Sequence, residues 1–414
     1  MSQVSKLPVL VVGAGAAGLT AALEMAEMGR DVVLVEKEPV IGGRVARFHH
    51  YFPKLCPPSC GLEINTRRLE RNPRIQVLMN TRVTSAQLDA DGWSLTLETA
   101  PEYVTDRCTA CGACTEVCPA TCSDRFNWGL QEVPVIRRPF PNAWPERFIL
   151  ERDLCTEGCH ACVDACRYDA INLNAASCAR EMKVASVVVA TGWRPYPIEN
   201  LPELGGGRCP DVISNVQLER FASADGPTGG VILRPSTGTP PERVAFVQCA
   251  GSRDVKHLPY CSGVCCLASM KHALYVKERL PDAEVTIFYI DRRAPGRNED
   301  FLVRVAETGG VRFVKGKVGK VDERDGVLEV TAEDAEAGKL LHERADLVVL
   351  AVGMVPEKEE DPFGLARDDD GFAVSDPARG LFVAGVAHRP ADVATSIRDA
   401  TGAATRAVAV GRRS

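Results

Sequence analysis

The sequence predicts an α/β fold made of two dinucleotide-binding-type units, with a small α+β segment inserted into the first. Three observations predict it. Residues 9–36 read as strand, glycine turn, helix, strand and acid in one unbroken run. Residues from about 205 to 340 repeat the alternation of strand and helix that builds a parallel sheet. Between them, residues 108–119 and 155–166 hold two dense cysteine runs that belong to neither unit.

Composition bounds the function classes. The 414 residues are 45% hydrophobic and 25% charged, as in a globular chain of two or three domains. A net charge of −6 without a long basic run argues against nucleic acid or anionic membrane as the main partner. The first apolar run, 8–12, leads into a glycine turn instead of a leader-type cleavage site. The longest, around 347–355, is about half a membrane span, so no direct span is expected and the location is expected to be cytoplasmic. Seventeen cysteines in a reducing compartment point to metal binding or redox work.

In VLVVGAGAAGLTAALEMAEMGRDVVLVE (9–36), Gly13 makes the tight turn and Gly15 lets backbone approach a pyrophosphate. Gly18 lets the helix pack on the strand, and Ala16 and Ala17 open a helix whose free N–H groups face the phosphates. Glu36 can accept ribose hydroxyls, and Lys37 follows it. The next stretch, KEPVIGGR (37–44), resembles the FAD signature of the glutathione-reductase and thioredoxin-reductase group, and with it that fold. The resemblance implies that Gly43 borders the pyrophosphate and that Arg44 pairs with it. VVVATGWRP (187–195) is similar to the group's ATG motif, with Ala190, Thr191 and Gly192. GLFVAGVAHRPADVATSIRDATGAATRAV (380–408) is similar to its C-terminal flavin motif, with Gly385, Val386 and Thr395. Val83 completes the expected FAD contacts. One departure stands out: the ribityl-binding acid of the group is Val386 here.

CTACGACTEVCP (108–119) is the C-x2-C-x2-C-x3-C-P run of bacterial ferredoxins. CTEGCHACVDAC (155–166) repeats it with one extra residue in the first gap and Arg167 in place of proline. In two-cluster ferredoxins the fourth cysteine of each run serves the other 4Fe-4S cube. That pattern assigns Cys108, Cys111, Cys114 and Cys166 to one cluster, and Cys155, Cys159, Cys162 and Cys118 to the other. Zinc is the competing reading, but zinc ribbons use C-x2-C pairs. The proline-rich connector 133–145 is expected to be an irregular loop packed on a neighbour or partner. Segments 74–86 and 93–100 alternate like a β-meander before the insertion.

In the second unit, 244–247 reads as a strand, 269–280 as a helix, 284–291 as a strand, 298–309 as a helix and 311–316 as a strand. No glycine triplet follows the first strand. Cys249, Cys261, Cys265 and Cys266 stand there instead. Spacing alone leaves a third 4Fe-4S site, a redox disulfide and buried thiols open. The expected segments are 1–101, 177–204 and 343–414 for the FAD domain, 102–176 for the insertion, and 205–342 for the degenerate nucleotide unit.

The combination of FAD motifs, inserted ferredoxin and CAGSRD…YCSGVCC resembles the A subunits of heterodisulfide reductases, which implies a third cluster on these cysteines. HHYFPKLCPPSCGLEI (49–64), DGPTGGVILRPS (225–236) and the short C-terminus resemble more closely the A subunits of quinone-interacting membrane-bound oxidoreductase complexes. That likeness implies two companions, namely a related flavin–iron–sulfur B subunit with a haem-bearing membrane C subunit. It implies adenylylsulfate reductase as redox partner, and attachment to the inner face of the cytoplasmic membrane through the companions. The alternatives are a heterodisulfide-type subunit serving a thiol–disulfide couple, a free-standing NAD(P)H-dependent flavoenzyme and a zinc-binding scaffold.

Cys56 and Cys60 flank two prolines, and a flavin-coupled dithiol, a ligand role and plain packing all stay open. Cys122, Cys178 and Cys209 read as structural. His49, His50, His160, His257 and His388 read as loop or surface histidines, with His388 placed best by its flavin-type motif. No Ser/His/Asp or paired-carboxylate arrangement suggests acid–base catalysis on an organic substrate.

Overall fold

The computed structural model describes residues 7–358 and 361–410. Short runs of β-branched residues, buried on both faces, form the first parallel sheet. Its strand order is Leu381–Val383, Ser186–Val189, Val9–Val12, Val32–Val35 and Ile75–Leu78. Helices Ala16–Glu27 and Val393–Val410 pack together over one face through Leu19, Ala22, Met25, Ala403 and Ala407.

The second parallel sheet runs Val212–Ser214, Leu347–Val352, Arg243–Ala250, Glu284–Tyr289 and Val311–Lys315. Each unit adds a three-stranded antiparallel sheet. In the first it is Cys178–Val184, Gly92–Thr99 and Thr81–Asp89; in the second, Val318–Arg324, Val327–Asp334 and Lys339–Ala345. Trp193–Pro195 pairs with Met354–Pro356 and closes the connection between the units.

Three expectations change. The stretch 74–86 is not one meander, because Ile75–Leu78 joins the parallel sheet beside Val32–Val35. The third meander strand is Cys178–Val184, which returns after the insertion to pair with Gly92–Thr99. The boundary expected at 342 and 343 lies inside the second unit, since Leu347–Val352 pairs with both Val212–Ser214 and Arg243–Ala250.

The insertion closes on itself through a bridge between Val104 and Ile171 and a bond from the Asn172 N–H to the Tyr103 carbonyl. Its connector is ordered. Ile136–Arg137 pairs with Ile149–Leu150, and Val135 and Ile136 are buried. Trp144 packs on the first unit's core, and its indole N–H donates to Glu70 at 2.7 Å. The loop at 125–128 docks through cations on rings: Arg47 over Trp128 at 4.6 Å and Arg220 over Phe126 at 4.7 Å.

The glycines of the first turn act by what they lack. A Cβ on Gly18 would sit 1.7 Å from the Gly13 carbonyl oxygen, and one on Gly13 would sit 2.5 Å from that of Ala190. Gly18→Val should therefore cost about 3 kcal/mol or more of stability and strip the flavin. Urea unfolding and flavin absorbance of the purified variant check both outcomes.

Candidate functional site

The two units and the insertion enclose a cleft of about 1140 Å³. Gly13, Gly15, Ala16, Ala17, Glu36, Lys37, Gly43, Arg44, Val83, Ala190, Thr191, Gly192 and Val386 all line it. Gly18, Gly385 and Thr395 do not. Gly18 and Gly385 work behind the wall: a Cβ on Gly385, at φ +67°, would lie 2.7 Å from the Ala17 side chain. Around Thr395, it is Val393, Ala394 and Ser396 that face the cleft, while the Thr395 N–H donates to Asp392 at 2.7 Å.

The lining fits a dinucleotide. Helix Ala16–Glu27 begins at Gly15 without a side-chain cap, so its first N–H groups are left for an anion in the cleft. Gly43, at φ +56°, approaches so closely that its Cβ would be 3.0 Å from the Gly15 Cα. Glu36 is buried and accepts from the N–H of Ala14 at 2.6 Å and of Glu38 at 3.0 Å. Burial raises its carboxyl despite those two bonds. The Arg44 Nε is engaged by the Trp193 carbonyl at 2.9 Å, and its guanidinium lies 5.1 Å over Trp128. At the other end Val386 replaces the expected acid, and Asp399 takes a polar role that the sequence did not reveal. It accepts from the Gly385 N–H at 2.8 Å, with the His388 ring at 3.4 Å. Burial opposes its charge, yet these partners hold it below the usual carboxylate range.

A buried polar cluster forms part of the same wall. Glu219, Lys271 and His272 are each no more than 3% exposed. Lys271 is paired to Glu219, and His272 Nε2 lies 2.6 Å from Glu219 Oε1. The Tyr275 hydroxyl donates to Glu219 at 3.3 Å, and the backbone N–H of His49 donates at 2.9 Å. Lys271 also donates to the His50 carbonyl at 2.7 Å. His50, Glu219, Lys271 and His272 all face the cleft. His49 and His50, expected as loop histidines, thus lie at the junction of the two units. Sequence reasoning misses Glu219, Lys271 and His272. The available signal is a Lys-His pair in the middle of the largely apolar run LASMKHALYV, 267–276.

The ferredoxin-type cysteines gather in two groups. One small cavity is lined by Cys108, Cys111, Cys114 and Cys166, with Val104 and Phe148. A second is lined by Cys118, Cys155, Cys159 and Cys162. Backbone N–H groups already point at sulfur, from Ala110 to Cys108 and from Ala170 to Cys166, both at 3.4 Å. Burial, with neighbouring thiols, pushes the Cys114 thiol up to about 11. Iron coordination would remove such protons. Among the described residues no three Cys, His, Asp or Glu side chains converge as ligands of one ion. A cube instead asks for thiolates spaced around its corners. Val104 and Phe148 border both the first cavity and the large cleft, and Leu150 borders both the second and the cleft.

At the end of Arg243–Ala250 the ladder bulges, and Cys249 takes φ +58°. Helix Cys265–Arg279 starts earlier than expected, so Cys265 and Cys266 are its first two residues. Cys249, Cys265 and Cys266 are buried and Cys261 is partly exposed. Hydrogen bonding between the free Cys249 and Cys265 thiols pulls the first down to about 7 and pushes the second up. Val264 and Ala268, on the same segment, line the large cleft. Cys56 and Cys60 are exposed and do not line it, and Cys60 lies in helix Pro58–Glu70. Cys122 and Cys209 are buried and Cys178 is exposed on its strand.

Known proteins resemble this chain in sequence and in fold. Residues 11–81 match the NAD(P)-binding Rossmann-like domain, and residues 99–120 match the 4Fe-4S binding domain. The thioredoxin reductases of Lactococcus lactis and T. acidophilum share the fold, with TM-scores of 0.53 and 0.52 at 14% identity. The alignments cover 99% and 97% of this chain, and 100% and 98% of those chains. The A subunit of the H(2):CoB-CoM heterodisulfide,ferredoxin reductase of Methanothermobacter marburgensis is 37% identical over 96% of this chain. The second of the iron-sulfur A subunits of CoB--CoM heterodisulfide reductase in Methanopyrus kandleri is 36% identical over 96%. This chain spans 63% of the length of each.

Two measurements test the buried cluster. Burial would raise the Glu219 carboxyl, but Lys271 and His272 hold it far below the usual range. Glu219→Gln leaves Lys271 an unmatched buried cation and should cost about 3–5 kcal/mol in urea unfolding. Burial also holds His49, His50 and His272 below the usual histidine range, His49 at about 4. A histidine with a depressed folded pKa stabilises fully above its unfolded value near 6.5, and that contribution is lost as pH falls. Stability should therefore drop between about pH 6.5 and 4, and His49→Asn should flatten the drop. Equal slopes in both proteins would remove His49 from this account.

Over nearly its whole length, then, this chain is a homologue of heterodisulfide reductase A subunits, carried on a thioredoxin-reductase-type fold.

Proposed function

We propose that the chain is a flavin- and iron–sulfur-bearing electron-transfer subunit of the heterodisulfide-reductase type. FAD would occupy the large cleft. Two 4Fe-4S clusters would occupy the cysteine cavities of the insertion, and a third the loop at 249–266. The observation that carries this reading is the division of eight cysteines into two cavities that both border the cleft. Each cavity takes three cysteines from one run and one from the other, as in two-cluster ferredoxins.

FAD supplies exchange between two-electron and one-electron transfer, and cubes supply one-electron transfer. The uncapped helix at Gly15 and the bare backbone at Gly43 would hold the pyrophosphate. Glu36 would orient the ribose. Lys271, Glu219 and His272 give the cleft wall a fixed cation, anion and imidazole where water is largely excluded. Val104, Phe148 and Leu150 form the thin apolar partitions between cleft and cysteines.

The named relatives favour a heterodisulfide-type assembly over a quinone-interacting one. A haem-bearing membrane partner and adenylylsulfate reductase belong to the finer alternative. Among the described residues no helix is long and apolar enough to cross a membrane. A free-standing NAD(P)H enzyme is disfavoured because a bulge and a cysteine loop stand where a nucleotide turn would be.

Anaerobic purification with associated subunits tests the reading. About twelve irons and one FAD per chain are expected, falling to about eight irons in Cys249→Ser. Zinc in place of iron, or bleaching of the flavin by NADH alone, would overturn it. Co-purified haem would favour the quinone-interacting alternative.

A further inference from the structure

The loop that follows Cys249 carries a cation whose placement the electron-transfer reading leaves unused. Cys249, Gly251 and Arg253 have φ of +58°, +67° and +57°, so the chain doubles back within five residues. Left-handed backbone at two non-glycine positions is strained and persists only where surrounding contacts enforce it. The contacts here are specific. The Arg253 N–H donates to the Tyr260 carbonyl at 3.0 Å. Arg253 Nη1 donates to Asp291 Oδ2 at 2.7 Å, and Arg253 follows Cys249 by four residues in the same tight turn. Asp291 in turn meets the other end of the cysteine set, since the Cys266 thiol donates to its carbonyl at 3.2 Å. Arg293 is the second cation at this point, 3.4 Å from the same Asp291 carboxylate. One carboxylate therefore holds two guanidiniums beside a set of four cysteines.

We propose that Arg253, held by Asp291, is a positioning residue that sets the reduction potential of the third cluster. The inference rests on that cluster being present. A cube bound by four thiolates is anionic and gains one further negative charge on reduction. A fixed cation at its edge stabilises the reduced form more than the oxidised one and raises the potential. Arg253 is 28% exposed along its side chain, so bulk water screens it only in part. Asp291 has the opposite sign and is more exposed, at 49%, so its own field is weaker and its main contribution is to fix the guanidinium. The consequence is directional. A cluster held on these cysteines would be easier to reduce with the Arg253 cation in place than without it.

The test is an EPR-monitored redox titration of the anaerobically purified protein with its full iron content. Arg253→Met should make reduction of one cluster about tenfold less favourable, a shift of about −59 mV for one electron. Arg253→Lys should restore most of it. Asp291→Asn, which releases the guanidinium, should move the same signal downward by a smaller amount. Restoration by Arg253→Lys, which keeps the charge but not the fork of hydrogen bonds, would not arise if simple loosening of the loop caused the shift. If the iron count stays at about twelve and the third signal keeps its midpoint in both Arg253→Met and Asp291→Asn, the inference is overturned. If Arg253→Met fails to assemble, an unmoved midpoint in Asp291→Asn alone overturns it. A wild-type protein with only two cluster signals and about eight irons would instead overturn the third cluster itself.

Discussion

The structure depends on one buried carboxylate. Glu219 sits on helix Asn215–Ala222 of the second unit, yet it accepts the His49 N–H of the first unit and pairs with Lys271 and His272. Lys271 and His272 lie on the helix that begins with Cys265 and Cys266. The same charge cluster thus fixes the cleft wall, the junction between units and the distance from cleft to cysteine loop. A buried ion pair is expensive to desolvate, and an apolar core could be equally stable. Its retention fits a wall that must present charge to a bound group. The locking contacts are polar where they meet the cleft and apolar behind it.

The insertion is held by a different kind of contact. Arg47 and Arg220 lie over Phe126 and Trp128, and Arg220 Nε donates to Asn127 at 2.6 Å. Planar guanidiniums against rings tolerate burial better than ammonium groups do. The insertion can therefore dock on both units without a large hydrophobic interface. That leaves its own small core, around Val104, Ile136, Phe148 and Ile171, free to pack the cysteines.

Much of this is legible in the sequence because the chemistry is local. A glycine turn, a helix and an acid within 9–36 specify a phosphate-binding geometry through backbone alone, and cysteine spacing fixes which thiols meet. What escapes is long-range. Cys178–Val184 pairs across the insertion with Gly92–Thr99, and nothing in its own alternation announces a partner so distant along the chain. Glu219, Lys271 and His272 meet only when two helices pack. Leu347–Val352 reads as a generic buried strand, and its sheet is decided by which neighbours it finds. The C-terminal motif announces its own helix, but Thr395 turns away because the helical period directs Val393, Ala394 and Ser396 inward.

The second unit shows why a nucleotide site is a short physical step from a cluster site. In a dinucleotide fold the helix after the first strand aims its free N–H groups and positive dipole end at a pyrophosphate. Here that helix starts at Cys265 after Val264, which offers no capping side chain, so the same positive end has no side-chain partner. Four thiolates around a cube are also an anion, and a helix N-terminus favours thiolate over thiol. A cluster on these cysteines would meet the same electrostatic demand with a different ligand. The glycines become dispensable because no flat pyrophosphate has to touch backbone. What the loop needs instead is length, so that Cys249 and Cys261 can approach from outside the helix axis. The bulge before Ala250 and the left-handed turn at Cys249 supply that change of direction within one strand end. With a cluster there, a nicotinamide hydride donor would have no seat, and the choice of one-electron traffic would follow from the geometry of a single loop.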